Sequence, residues 1–420
     1  MNRPSNQPAA RLVHASQAAA PARPKPIDTA NAAQVAAVIC YALAFFAFSF
    51  SWPISRSLGP PALAVLLLAA LLPIFVVRRF YLPLPLFAFW ALSFVYFAFS
   101  YFSFLPESWP IFFDRNAIPQ HVSAYLILPI LLSANIASFS VIGRNRTLFL
   151  RWLLPAIIIG SFLVNPLVLT LMEPLVEGQE VGIFFYLGIN GFSSSEVFMI
   201  GVLGYLLLTR MRGLLLLIVS ATFAVISTNL SPFIAFAILP FFKHGQRARI
   251  TVLGLIVVLL ASAIIAPIFW PELAKLDGNT GIRAVFWGDA WRALADTWGV
   301  GVGFGTESIR PYYIIEGAKW ILRPPDADDF LLVGLHNSFV QVLFRMGIVG
   351  LLLMLLLVLR IRPRGASISL QTRFDCWLFC VLFISMSVNV AIVSIHHLLG
   401  STAIWAWLAF RHDSQGIYRL

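Results

Sequence analysis

Residues 334–360 read GLHNSFVQVLFRMGIVGLLLMLLLVLR. From Ser338 onward the run is long and apolar enough to cross about 30 Å of hydrocarbon as a helix. What such a helix does with His336, Asn337, Gln341 and Arg345 therefore decides how the chain folds. On a helix beginning near His336, steps of four residues put Asn337, Gln341 and Arg345 on one face. An ionised arginine at mid-bilayer costs about 2.5–3.5 kcal/mol on insertion scales, so this face is expected to look into a helix bundle or a wet cavity and not into lipid. Gly347 and Gly350 allow a neighbouring element to approach closely.

The rest of the chain repeats the pattern. It is 60% hydrophobic and 11% charged over 420 residues, a composition that excludes a water-soluble globule. Apolar runs recur at 35–53, 61–77, 84–105, 121–142, 150–172, 193–209, 213–229, 250–270, 338–359 and 374–394, with shorter ones at 232–242 and 398–410. An all-α polytopic membrane protein of about twelve transmembrane helices is expected. Residues 1–34 read as a disordered tail rich in Ala, Pro, Ser and Gln, 35–270 as the first nine crossings, 271–336 as one large external loop, 337–410 as the last three crossings and 411–420 as a second tail. No apolar signal segment precedes the first crossing.

Basic residues cluster at every second connection: Arg78/Arg79, Arg144/Arg146/Arg151, Arg210/Arg212, Lys243/Arg247/Arg249, Arg360/Arg362/Arg364/Arg373 and Arg411/Arg419. This alternation places both termini in the cytoplasm and the large loop outside. The net charge of +11 therefore reports topology, and no nucleic-acid partner follows from it. Cys40, Cys376 and Cys380 all lie in apolar runs, where thiols behave as small hydrophobes.

The external segment from Pro271 to Leu335 is long for a connection in a compact fold, and such loops usually carry function. From Arg283, the residues Trp287, Ala290, Trp291, Leu294 and Trp298 follow the spacing of one helical face, with Asp289, Arg292 and Asp296 opposite. An amphipathic helix at the membrane surface is expected. Arg292 has Asp289 and Asp296 at ion-pair spacing. Arg283 stands at the expected helix start after Asn279, Thr280 and Gly281, where it reads either as a phosphate or diphosphate site or as a solvated, headgroup-binding arginine. Glycines at 299, 301, 303 and 305 alternate without giving a dinucleotide fingerprint. They read as a turn bringing backbone close to another element, or as a turn whose amides line a phosphate. Taken alone, His336 reads as an interfacial histidine.

Together, Gly281-Ile282-Arg283 with Trp287 and Trp291, then Gly301/Gly303/Phe304/Gly305, then His336-Asn337 followed by Gly347-Ile348-Val349-Gly350 resemble the core pattern of the O-antigen ligase and O-antigen (exopolysaccharide) polymerase superfamily. The similarity covers residues 280–360 in motif and the remainder in layout only. It implies a bacterial inner-membrane glycosyltransferase, needing no metal or other cofactor, that moves a glycan from a polyprenyl-diphosphate-linked oligosaccharide donor to a glycan or lipid-linked acceptor. It also implies that Arg283 binds the diphosphate and that His336 is the general base. Asn337, Arg345, Gly303 and Gly305 complete the substrate-binding set, with membrane lipid and other polysaccharide-export proteins as partners.

The family places a second arginine at the turn before the large loop. This chain reads ISTNLSPF there, with Asn229 at the expected position, and Arg345 is the substitute the sequence offers. Arg115 and Glu196 are further candidates for sugar contacts, and His396/His397 for a metal site with His336. Polymerisation of repeat units is the expected activity. Ligation to lipid A core or to protein, and lipid-linked oligosaccharide flipping, are the alternatives.

Overall fold

The structure is a computed structural model that describes residues 31–50, 52–102, 115, 118–144, 218, 230–276, 278–306, 335–363, 369–388 and 395–419. The described chain is almost wholly helical: α1 Ala32–Phe50, α2 Trp52–Val77, α3 Leu84–Tyr101, α4 Ile118–Arg144, α5 Leu230–Ile238, α6 Gly245–Ile265, α7 Trp270–Leu276, α8 Gly278–Asp296, α9 Ser338–Arg360, α10 Leu370–Val388 and α11 Ile395–His412. Two three-residue strands, β1 Arg79–Tyr81 and β2 Ile417–Arg419, pair antiparallel. Among the described residues, four stretches are long and apolar enough to cross a membrane, Leu84–Tyr101, His121–Arg144, Ile250–Leu273 and Ser338–Arg360, and three shorter apolar helices accompany them. The runs expected at 150–172 and 193–209, and all but Ile218 of 213–229, lie outside the described residues.

The centre of the bundle is α4, which packs against α1, α2, α3 and α11. Of its apolar window, 72% is buried, against 11% for Ile250–Leu273 on the periphery. Small residues explain the difference, because Ser133, Ala134, Ala137, Ser138 and Ser140 let neighbouring backbones come close. A buried amide adds directional ties: the Tyr41 hydroxyl donates to Asn135 Oδ1 at 3.1 Å, and Asn135 Nδ2 donates to Thr402 Oγ1 at 3.4 Å. These bonds join α1, α4 and α11.

One end of the bundle gathers the described members of the basic clusters. Arg373 donates to the Lys243 carbonyl. Arg360 Nε donates to Asp413 Oδ2, which also accepts from the Tyr81 hydroxyl at 2.8 Å. Asp375, fully buried, accepts from Arg411 Nε at 2.9 Å, Trp407 Nε1 at 3.2 Å and Gln371 Nε2 at 3.1 Å, with His412 Nε2 at 3.1 Å. The segment after His412 was expected as a free tail. Instead it folds back, and Ile417–Arg419 pairs with Arg79–Tyr81 while Tyr418 stacks on Phe80 at 5.3 Å. The buried Asp413 carboxylate supplies the anchor that the composition of the segment did not announce.

Candidate functional site

The other end of the bundle is built around the glycine turn. Helix α8 stops in a Schellman arrangement, with Gly299 N donating to Leu294 O at 2.8 Å and Trp298 N to Ala295 O at 3.2 Å. Trp298 sits at the left-handed position of that motif (φ 54) and is 94% exposed. It was expected on the apolar face of the helix. The helix ends two residues earlier, so its ring falls off that face. Asp289, expected on the polar face, is buried and accepts from Arg292 Nη1 at 3.2 Å. The reason is that α8 is covered on two sides, by α7 and the Ala266–Phe269 turn as well as by α9. The ion pair with Arg292 itself is as the spacing predicts.

Beyond Trp298 the chain runs against a break in α9. Gly347 leaves the helical conformation (φ 63, ψ −162). A Cβ there would lie 2.2 Å from Gly299 O and 2.3 Å from Val300 O, so no other residue fits without moving the turn. The backbone groups released by the break are taken up by the turn: Val302 N donates to Phe344 O at 2.8 Å, Gly303 N to Arg345 O at 2.9 Å, and Ile348 N to Gly299 O at 3.0 Å. Such replacement is what a broken helix requires in a medium without water.

Every backbone N–H from Gly299 to Gly305 has a protein acceptor, the remaining ones being Leu294 O, Thr297 O, Thr297 Oγ1, Ser100 Oγ and His121 Nδ1. The amides of Gly303 and Gly305 are therefore committed within the fold, and the turn is the close-approach element of the two readings its glycines allowed. Arg345, buried, donates through Nη1 to the carbonyls of Gly303 and Thr306. The polar face expected from the sequence does look inward, since Asn337, Gln341 and Arg345 are all buried.

The three residues of that face have distinct tasks. Asn337 is the N-cap of α9, its Oδ1 accepting from Phe339 N at 3.0 Å and Val340 N at 3.1 Å. Gln341 Oε1 accepts from Leu335 N at 2.9 Å, and Trp287 Nε1 donates to Leu335 O at 2.8 Å. Both sides of Leu335 are thus fixed by side chains, and so is the residue after His336. His336 itself, half-buried, is held at φ 51, a left-handed conformation uncommon outside glycine. It persists because its neighbours determine it from both sides.

Arg283 is half-buried on α8, one turn before Trp287. The helix begins at Gly278, so Arg283 sits in the second turn and not at the start, which corrects the helix-terminus placement. Gly281, expected with Asn279 and Thr280 as a capping or turn residue ahead of the helix, is buried inside it. Residues one turn apart share a helix face. The Trp287–Leu335 bond therefore brings the Arg283 face of α8 to the segment that carries His336. Phe286, Trp287, Ala290 and Ala293 of α8 pack with Val302, Leu335, Val340 and Phe344 beneath it. This second, smaller core was not foreseen, because Val302 and Leu335 belong to segments without periodicity.

A cavity of about 470 Å³ lies beside α8, lined by Ile264, Pro267, Ile268, Gly288, Trp291 and Arg292. Arg115 is exposed and lies over the Tyr101 ring at 5.6 Å. Asn229 and Glu196 lie outside the described residues, as do the side chains of His396 and His397. No protein family, curated protein or solved structure matches this chain, so the functional reading stands on its own residues and geometry.

Proposed function

We propose that this protein is a membrane glycosyltransferase that moves a glycan from a polyprenyl-diphosphate carrier to an acceptor hydroxyl on the loop side of the membrane, joining repeat units of a surface or secreted polysaccharide. The observation that carries this reading is the backbone of His336. A strained residue with a proton-accepting side chain is clamped by Trp287, Gln341 and Asn337 beside the helix face that bears Arg283.

In the reaction, the acceptor hydroxyl attacks the anomeric carbon of the donor sugar as its proton passes to the His336 imidazole. The bond from that carbon to the diphosphate oxygen breaks with inversion, and polyprenyl diphosphate leaves. Arg283 stabilises the charge gathering on the departing diphosphate. The cavity along α8, apolar except for Arg292, suits the first isoprene units of the carrier. Arg345, Gly303 and Gly305 act as positioning residues that hold the turn under the site.

The test is reconstitution of the full chain with a polyprenyl-diphosphate oligosaccharide and candidate acceptors. A ladder of products supports polymerisation, and a single addition to lipid A core identifies a ligase. Movement of the donor across the bilayer without bond formation overturns the enzyme reading. His336→Ala and Arg283→Ala are each expected to lower transfer by about 10²–10⁴-fold with the fold retained, and near-normal rates in either would overturn the assignment of that residue.

A further inference from the structure

At the basic end of the bundle, β1 follows α2 directly, and its Arg79 stands opposite Arg419 of β2 in the antiparallel register. Like charges placed directly across a strand pair destabilise it. A third arginine, Arg144, lies in the last turn of α4. Burial, and then the nearby charges of Arg144 and Arg419, push the Arg79 guanidinium below its ordinary pKa. The carboxylates described at this end are engaged elsewhere, Asp413 by Tyr81 and Arg360, Asp375 by Arg411. Among the described residues, no ion pair joins Arg79, Arg144 or Arg419 to an acid. The strand pair is held instead by the Phe80–Tyr418 stack and by Leu82 N donating to Gly416 O at 3.1 Å.

The surface leading to this cluster says which anion suits it. On α2, Val65, Leu68, Leu72 and Phe75 are between 44% and 66% exposed. Their spacing of three, four and three makes them one stripe along the helix. The stripe ends at Phe75, two residues before the last residue of α2, Val77, which Arg78 and Arg79 follow. An apolar track ending in clustered guanidinium groups matches acyl chains below a phosphate.

We propose that Arg79, Arg144 and Arg419 form a binding site for the phosphate headgroup of an anionic phospholipid whose acyl chains lie along the exposed face of α2. The site is independent of the glycosyltransferase reading, since it sits at the opposite end of the bundle. Its occupant neutralises a repulsion that the fold itself leaves standing.

The full-length protein in detergent, titrated with diphosphatidylglycerol or with phosphatidylcholine of the same acyl chains and followed by native mass spectrometry, tests this. The parent is expected to retain diphosphatidylglycerol and not phosphatidylcholine. Arg79→Gln and Arg419→Gln are each expected to weaken retention about fivefold, whereas Arg362→Gln, an exposed arginine after α9, leaves it unchanged. The lipid-free unfolding temperature of Arg79→Gln should equal or exceed that of the parent, because the substitution removes a like-charge contact. Equal retention by the parent and Arg79→Gln, or equal weakening by Arg362→Gln, overturns the site. Displacement of the lipid by an equimolar concentration of inorganic pyrophosphate overturns the lipid assignment.

Discussion

His336 occupies a conformation that glycine holds without strain, and this separates its backbone role from its imidazole. His336→Gly and His336→Ala both lose the imidazole and with it transfer, and the glycine variant is expected to be the more stable of the two by about 1 kcal/mol, seen as a higher unfolding temperature in detergent. A glycine variant no more stable than the alanine variant would show that the left-handed backbone carries no strain. At Gly347 the opposite holds, because a methyl group there meets two carbonyl oxygens. Gly347→Ala is expected to destabilise by about 3 kcal/mol or more. Arg345 is the third case. Its replacement by leucine leaves the Gly303 and Thr306 carbonyls without their donor, at about 1–3 kcal/mol each. Thermal unfolding of Arg345→Leu should therefore show a large loss, and an unchanged midpoint would remove Arg345 as the clamp of the turn.

Helix α8 shows how far a pattern can be read at the scale of an element. The spacing from Arg283 correctly foretold a helix on which Trp287 and Ala290 share one face, and the 289/292 ion pair. The pattern assumed one covered stripe, and α8 has neighbours on two sides, so Asp289 is buried and Ala293 joins the inner face. Its ends were the least legible part, since Gly281 inside the helix and Trp298 at a left-handed cap both go against the usual preferences of those residues. The inward face of α9 was legible because burying an arginine constrains a membrane helix more than any propensity does. Its break at Gly347 was not, because the partners of the broken segment lie more than forty residues earlier. A prediction belongs here: Trp287→Phe keeps the ring in the core and removes only the donor to Leu335. It is expected to cost about 1 kcal/mol of stability and to lower kcat more than it raises KM. A change confined to KM would argue that Leu335 does not position His336.

For the whole molecule, the described members of the basic clusters meet at one end, where Asp375 holds Arg411 and Asp413 holds Arg360. The closing segment was missed because the short stretch DSQGIYRL after a helix looks like a tail, and its anchor is a contact across 332 residues between Asp413 and Tyr81. Burial and the adjacent Asp413 carboxylate raise the Tyr81 hydroxyl well above its ordinary pKa, so it stays a donor. Asp413→Ala should therefore leave Arg360 and Tyr81 without their acceptor and cost about 1–3 kcal/mol. An unfolding temperature equal to that of the parent would show that the C-terminal fold is an ornament of the bundle and not part of its closure.

The junction between the glycine turn and the interrupted helix also sets a limit on recombination. Since three backbone bonds cross between 299–303 and 344–348, neither partner is a transplantable part by itself. A chimera that takes the segment before α9 from another protein and keeps this α9 leaves the Phe344 and Arg345 carbonyls without their donors. A graft spanning α8 through the first half of α9 carries these three bonds with it, and it must still meet the Tyr96 and Ser100 hydroxyls and the His121 imidazole, which bond Val300, Phe304 and Gly305 from α3 and α4.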